Sequence, residues 1–364
     1  MGDQLSKDPS RQEYYSSDDF IRLNKTHLGN TTCYDDINQL MPNHYLDLNK
    51  NQIIRYWPTK CIEKNDCFEA AERCSVMLKG FMESISNRYK VMLPVTAGAD
   101  SRLLMAATRD FREKILYYIN MDKRLSEKST DIKVPKRLFQ KLSMEFNVVT
   151  IPEEVDSFFE IAFDENNPMA AKKYLPHIYN YYRKYSDRVN LPGHIASAPW
   201  GINQFENQTV TTEELNRFYG VYNKYDHVEA YYQQWMGDSR KLCEDCNLSV
   251  INLFYWEERI TNWGSQTSLD KDMAQEDINP FNSRLLNELF LSVPPKFNTQ
   301  PGKRLHQSII TILWPELMNV PFNPTLKTAV KVLLAQYGLQ KLAEKTHYKL
   351  TNKKYEKLYL DRSE

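Results

Sequence analysis

The residues best suited to chemistry fall within six positions, Thr96, Ala97, Gly98, Ala99, Asp100 and Ser101, directly after the apolar run VMLPV (91–95). Two hydroxyls, a glycine that lets a ligand approach the backbone, and a helix start whose N–H groups and positive dipole end attract an anion together describe a phosphate cradle. Asp100 or Ser101 can cap that helix. An aspartate beside phosphate repels it unless a cation intervenes, which makes Asp100 the expected Mg2+ ligand. The competing reading of the same residues is an ordinary strand-to-helix turn with a capped helix.

Two further groups attract attention. Cys243 and Cys246 form a C-x-x-C pair, but the other four cysteines lie far upstream without the spacing a structural zinc would need. Glu258 and Arg259 sit in the aromatic run FYWEERITNW (254–263). They read either as a surface ion pair on a packed helix or as part of an acceptor-pocket wall.

The elements that position the loop follow from periodicity. Apolar residues at 68, 71, 74, 78, 81, 82 and 85 predict a helix, with Asn65 or Asp66 able to cap it. Strands are expected at 91–95, 114–119, 147–151 and 189–191, separated by helices from Ser101, within 129–145 and in a tyrosine-rich stretch. This alternation predicts an α/β fold, a parallel sheet with helices on both faces and right-handed crossovers. Ligands of such sheets bind at the carboxyl ends of the strands, where the 96–101 loop lies. HYLDLNKNQIIRYW (44–57) predicts a short strand pair around an Asn-Lys-Asn turn.

Composition narrows the classes. In 364 residues, 47 Lys plus Arg balance 47 Asp plus Glu, which argues against a protein built mainly to grip nucleic acid. No apolar run reaches the length of a membrane span, and the polar opening is unlike a secretory signal, so a cytoplasmic location is expected. The segment from Thr325 is basic and amphipathic, a closing helix or a polybasic contact, with a tail at 346–364 expected to be disordered.

The loop resembles the S-G-G-x-D-S pyrophosphate loop of the asparagine-synthetase-like ATP pyrophosphatases. Thr96 stands for the serine and Ala97 for the first glycine, while Gly98, Asp100 and Ser101 match. Residues 26–58 are similar to the stretch joining the glutaminase and synthetase parts of that family. DINPFNSRLLNELFLSVPPKF (277–297) and LWPELMNVPFN (313–323) resemble its Pro-Phe-x-x-x-x-L-x-E and closing Pro-Glu-Leu segments. The resemblance implies an adenine nucleotide alpha hydrolase-like fold with a helical C-terminal part. It divides the chain into a 1–60 remnant or linker and a 61–345 ATP-binding domain.

The activity implied is adenylation of a small-molecule carboxylate by ATP with Mg2+, followed by transfer to an amine or ammonia. Adenine is expected near Ile119 and Asn120, with Gly193 also lining the nucleotide site. The family's late lysine has Lys303, Arg304 and Lys327 as candidates by position. The departures are specific. No cysteine precedes Cys33, so nitrogen would come from an amine, from ammonia or from a separate glutaminase. Within NLPGHIASAPWG (190–201), His194 and Ser197 stand where the family has acidic residues. Neither is a good Mg2+ ligand; His194 reads as a general base or as a histidine satisfied by neighbouring backbone. A catalytically degenerate scaffold or sensor and a tRNA-modifying pyrophosphatase are the alternatives.

Overall fold

The computed structural model describes residues 6–167, 170, 172–193, 209–298 and 303–324. Helices α1 (Pro9–Tyr15) and α2 (Asp18–Arg22) precede an antiparallel hairpin of β1 (His44–Asp47) and β2 (Gln52–Arg55). The hairpin turns through Asn51 in the left-handed region (φ 49°), as the Asn-Lys-Asn signal predicts.

The centre of the molecule is a four-stranded parallel sheet in the order β5-β4-β3-β6. Its strands are β3 (Lys90–Pro94), β4 (Ile115–Met121), β5 (Asn147–Thr150) and β6 (Arg188–Asn190). All four lie within a residue or two of the expected segments. Side chains alternate across the sheet because strand period is two. Val91, Leu93 and Val95 enter a core built with α3 (Cys67–Arg88), α4 (Ala99–Ala107) and α5 (Thr130–Leu142). Met92 and Tyr118 face the other way, onto α6 (Ser157–Asn166) and α7 (Leu175–Lys184). Helices therefore cover both faces, and the strands read as apolar runs.

Helix α3 starts at Asp66, whose side chain accepts from the Phe68 N–H at 2.7 Å. Its buried stripe is Cys67, Ala70, Ala71, Cys74, Leu78 and Met82, while Phe68 is 59% exposed. The predicted helix is present, but its core face is turned to the side where small Ala70 and Ala71 let α12 (Arg284–Ser292) and α13 (Arg304–Leu313) pack close.

A second core lies beside the sheet. It joins α8 (Thr212–Tyr219), α9 (Asp226–Asp245) and α10 (Val250–Phe254) to Tyr14, Leu28 and Trp57 from the N-terminal region. Residues of the 1–60 stretch are thus built into the same core as α9. After α10 the chain continues as a π-helix, Tyr255–Ser265, and then α11 (Gln266–Leu269). No helix among the described residues is long and apolar enough to cross a membrane. The basic segment from Thr325 lies outside the described residues.

One buried cation ties the closing segment to α4. Arg102, on α4, is fully buried and donates to the Leu317 carbonyl at 3.2 Å and to that of Val320. Its guanidinium lies 4.2 Å from the Phe322 ring centre, and burial pushes its pKa down to about 10. Arg102→Ala leaves both carbonyls without their donor, so urea denaturation should show a loss of about 2–4 kcal/mol. Unchanged stability would mean that this contact does not hold the segment.

Candidate active site at the start of α4

The loop leaves the carboxyl end of β3 and enters α4 through Gly98, the helix N-cap. Neither Asp100 nor Ser101 caps the helix, contrary to expectation, because both already lie in its first turn. Ser101 instead turns its Oγ back to accept from the Thr96 N–H at 3.0 Å, and Thr96 Oγ1 accepts from the Gly98 N–H at 3.2 Å. The two hydroxyls lie 3.1 Å apart. The hydroxyls therefore brace the loop, and no side chain caps the helix start. An uncapped helix N-terminus keeps donors and a positive dipole end for an anion.

Gly98 has φ −77° and ψ 166°, extended backbone that any residue adopts. An added Cβ would lie 3.4 Å from Thr96 Oγ1, so no special conformation requires the glycine. Only the close-approach half of that expectation remains. Gly193 lies against the first turn of α4, where an added Cβ would be 3.5 Å from Ser101 N. Ala97 and Ala99 are buried beneath the loop. Ile119 is the first residue past the β3 ladder, which ends at the Pro94–Tyr118 pair, and it sits where the loop leaves the sheet. The strand runs on through Asn120 to Met121.

Of the late basic candidates, Lys303 reaches the site. Its Nζ lies 2.5 Å from Asp100 Oδ1, and its side chain is only 7% exposed. Lys303 is also the N-cap of α13 in the left-handed region (φ 42°, ψ 55°), a strained position for a non-glycine residue. Arg304 is exposed and faces the Phe297 ring, 5.5 Å from its centre. His194, Ser197 and Lys327 lie outside the described residues.

Three neighbours were not read from the sequence. His306 is fully buried, with Nε2 3.1 Å from Asp100 Oδ1. No local sequence signal marks it, because Lys303 is the left-handed N-cap of α13 and the two residues do not share a regular helix face. Asp131, in the first turn of α5, accepts from the Ala97 N–H at 3.0 Å. Asn323 donates its N–H to the Ala97 carbonyl at 3.0 Å, so the closing segment touches the loop itself.

The Asp100 carboxyl is pushed up by burial, but His306 and Lys303 outweigh this and bring its pKa down to about 2. It is an anion already balanced by a cation, and among the described residues no group of three or more His, Cys, Asp or Glu side chains could hold a metal. One carboxylate already paired with an ammonium makes no cage for a resident ion, and Asp100 alone would be the protein's ligand to a Mg2+ carried in on a polyphosphate.

The π-helix forms a neighbouring wall. Tyr255, Arg259 and Trp263 are half-buried at four-residue steps, with Trp256, Glu257 and Glu258 buried between them. Arg259 lies 5.1 Å from the Tyr219 ring centre and 5.3 Å from that of Trp263. The Tyr255 hydroxyl is pushed up by burial and feels the charges of both Arg259 and Asp100. Glu258 and Arg259 are not a surface ion pair. Glu258 is fully buried, accepts from the Tyr231 hydroxyl at 2.9 Å, and burial pushes its pKa up to about 8. Glu257, also buried, accepts from Asn43, Arg55 and Trp235 and so pins the hairpin region to α9.

Cys243 and Cys246 are buried and unbonded to each other. Burial pushes the Cys243 thiol up to about 12.

The ion pair sets a pH signature. Because the folded pKa of Asp100 lies below its ordinary 3.8, its contribution is present above that value and is lost as pH falls through about 2. Asp100→Asn leaves Lys303 buried without a counter-charge, so at pH 7 the variant should be less stable by about 3 kcal/mol. Urea melts at pH 7, 4 and 2.5 should show this gap narrowing below pH 4; a pH-independent gap would contradict the assignment.

No protein-family model matches the sequence, and no curated protein is significantly similar to it.

Proposed function

We propose that the chain is an ATP-dependent, AMP-forming ligase or amidotransferase with an adenine nucleotide alpha hydrolase-like fold. It would activate a small carboxylate as an acyl-adenylate and pass the acyl group to an amine or ammonia. The observation that carries the reading is the uncapped start of α4, at the carboxyl end of an interior parallel strand, with buried Lys303 held beside it by Asp100. The short motif matches at 96–101, 277–297 and 313–323 support it, and so does the contact of the last of these with the loop through Asn323.

In this reading the β- and γ-phosphates lie on the first-turn N–H groups of α4. The substrate carboxylate oxygen attacks the α-phosphorus, the bond to the bridging oxygen breaks, and pyrophosphate leaves with that electron pair. Lys303 donates toward the charge developing on the leaving group, and Thr96 and Ser101 hold the loop in its receptive shape. Mg2+ bound with the nucleotide would supply charge neutralisation on the polyphosphate, with Asp100 as its protein ligand. Tyr255, Arg259 and Trp263 form the wall against which the acceptor would rest.

One observation favours a second reading, a nucleotide-binding scaffold or sensor without catalysis. Asp100 is already paired with Lys303 and in contact with His306, and among the described residues no group of three or more His, Cys, Asp or Glu side chains that could hold a metal includes it.

ATP–pyrophosphate exchange with a panel of carboxylates separates these readings. The ligase predicts exchange that depends on the carboxylate, falls by about 100-fold or more in Lys303→Met, and is lost in Asp100→Ala. ATP binding without exchange under any carboxylate selects the scaffold. Exchange or ATP turnover that requires tRNA instead selects the tRNA-modifying alternative.

A further inference from the structure

One cation on the π-helix wall has no counter-charge. Arg259 is half-buried, with its guanidinium 5.1 Å from the Tyr219 ring centre and 5.3 Å from that of Trp263. Among the described residues, no carboxylate forms an ion pair with it. Its sequence neighbour Glu258 is turned into the core, where it accepts from the Tyr231 hydroxyl and burial pushes its pKa up to about 8. Asp100, whose charge acts on the same Tyr255 hydroxyl as that of Arg259, is committed to Lys303.

The guanidinium also keeps donors open. The Tyr219 hydroxyl beside it can accept only part of what its planar fork of N–H groups offers. None of the Arg259 nitrogens is sealed in the protein without a partner, so the unused donors reach solvent. A planar cation held against two aromatic rings with its fork open matches a carboxylate, which it grips through paired hydrogen bonds. The same positive charge opposes a plain ammonium ion. An amine settles beside Arg259 best when it brings its own anion, and an amino acid does so while staying neutral overall.

We infer that Arg259 binds the carboxylate of an amino-acid acceptor, so that the attacking amine belongs to an amino carboxylic acid and not to ammonia or a simple alkylamine. This rests on the ligase reading above and narrows its acceptor. The positive charge of Arg259 lowers the pKa of the neighbouring ammonium and so favours the free amine, its first proton passing to solvent. The amine nitrogen then attacks the acyl carbon, the bond from that carbon to the phosphate oxygen breaks, and AMP leaves with the electron pair. A second proton passes from the nitrogen to solvent as the amide forms.

Saturation-transfer NMR and calorimetry on the full chain without ATP test the site apart from the reaction, with β-alanine and 4-aminobutyrate against n-propylamine. The amino acids should bind and the alkylamine should not. Arg259→Gln should weaken amino-acid binding about tenfold, and Arg259→Lys, which keeps the charge and loses the fork, should weaken it less. With a carboxylate that supports exchange, amide formation followed by mass spectrometry should favour β-alanine over n-propylamine by about tenfold or more in kcat/KM, and Arg259→Gln should erase that preference. The inference is overturned if n-propylamine binds or reacts as well as β-alanine, or if neither substitution changes amino-acid affinity. Arg259-dependent binding with no ATP–pyrophosphate exchange would sustain the amino-acid site and count against adenylation, whereas exchange without such binding would do the reverse.

Discussion

The contact between Lys303 and Asp100 joins groups 203 positions apart, and the arrangement of the site depends on it. A buried lysine is costly without a counter-charge, and a carboxylate at a helix start is favourable but would repel a phosphate. Pairing them at 2.5 Å settles both costs and leaves a cation poised where an anion would dock. The strained backbone at Lys303 and the fully buried His306 beside Asp100 belong to the same arrangement. Everything that holds α13 against α3 and α4 therefore also holds the electrostatics of the loop.

Arg102 performs the related task one layer deeper. It draws the 317–322 segment onto α4 through two carbonyls and the Phe322 ring, and Asn323 then reaches the loop backbone at Ala97. Loop, helix and closing segment are thus one packed unit, which suits a site that must present fixed donors to a developing charge. The π-helix adds a wall, and its wider turn lets Tyr255, Arg259 and Trp263 share one half-buried face.

Much of this was legible in the residues. The strands announced themselves as apolar runs because both faces of the sheet are covered, and the 96–101 loop stood out through its residue types and its place after β3. What was not legible depends on tertiary neighbours. Lys303, Arg304 and Lys327 are alike by position, and only the orientation of α13 turns Lys303 inward and Arg304 outward. Asp131 and His306 carry no local motif that links them to Asp100 or Ala97. Glu258 and Arg259 read as a surface pair or as a pocket wall on an α-helical period, and the stretch forms a π-helix that buries Glu258. Ser101 does not cap α4 because it already lies in the first turn, where its hydroxyl reaches back to Thr96 and braces the loop.

The claim that the start of α4 receives the phosphates of ATP is tested most directly by amide hydrogen exchange with and without ATP and Mg2+. The account predicts slowed exchange at Ala99, Asp100 and Ser101, reduced when Lys303 is replaced by Met, with no change at the distant hairpin of β1 and β2. Exchange at those three amides that is unaffected by saturating ATP would contradict it.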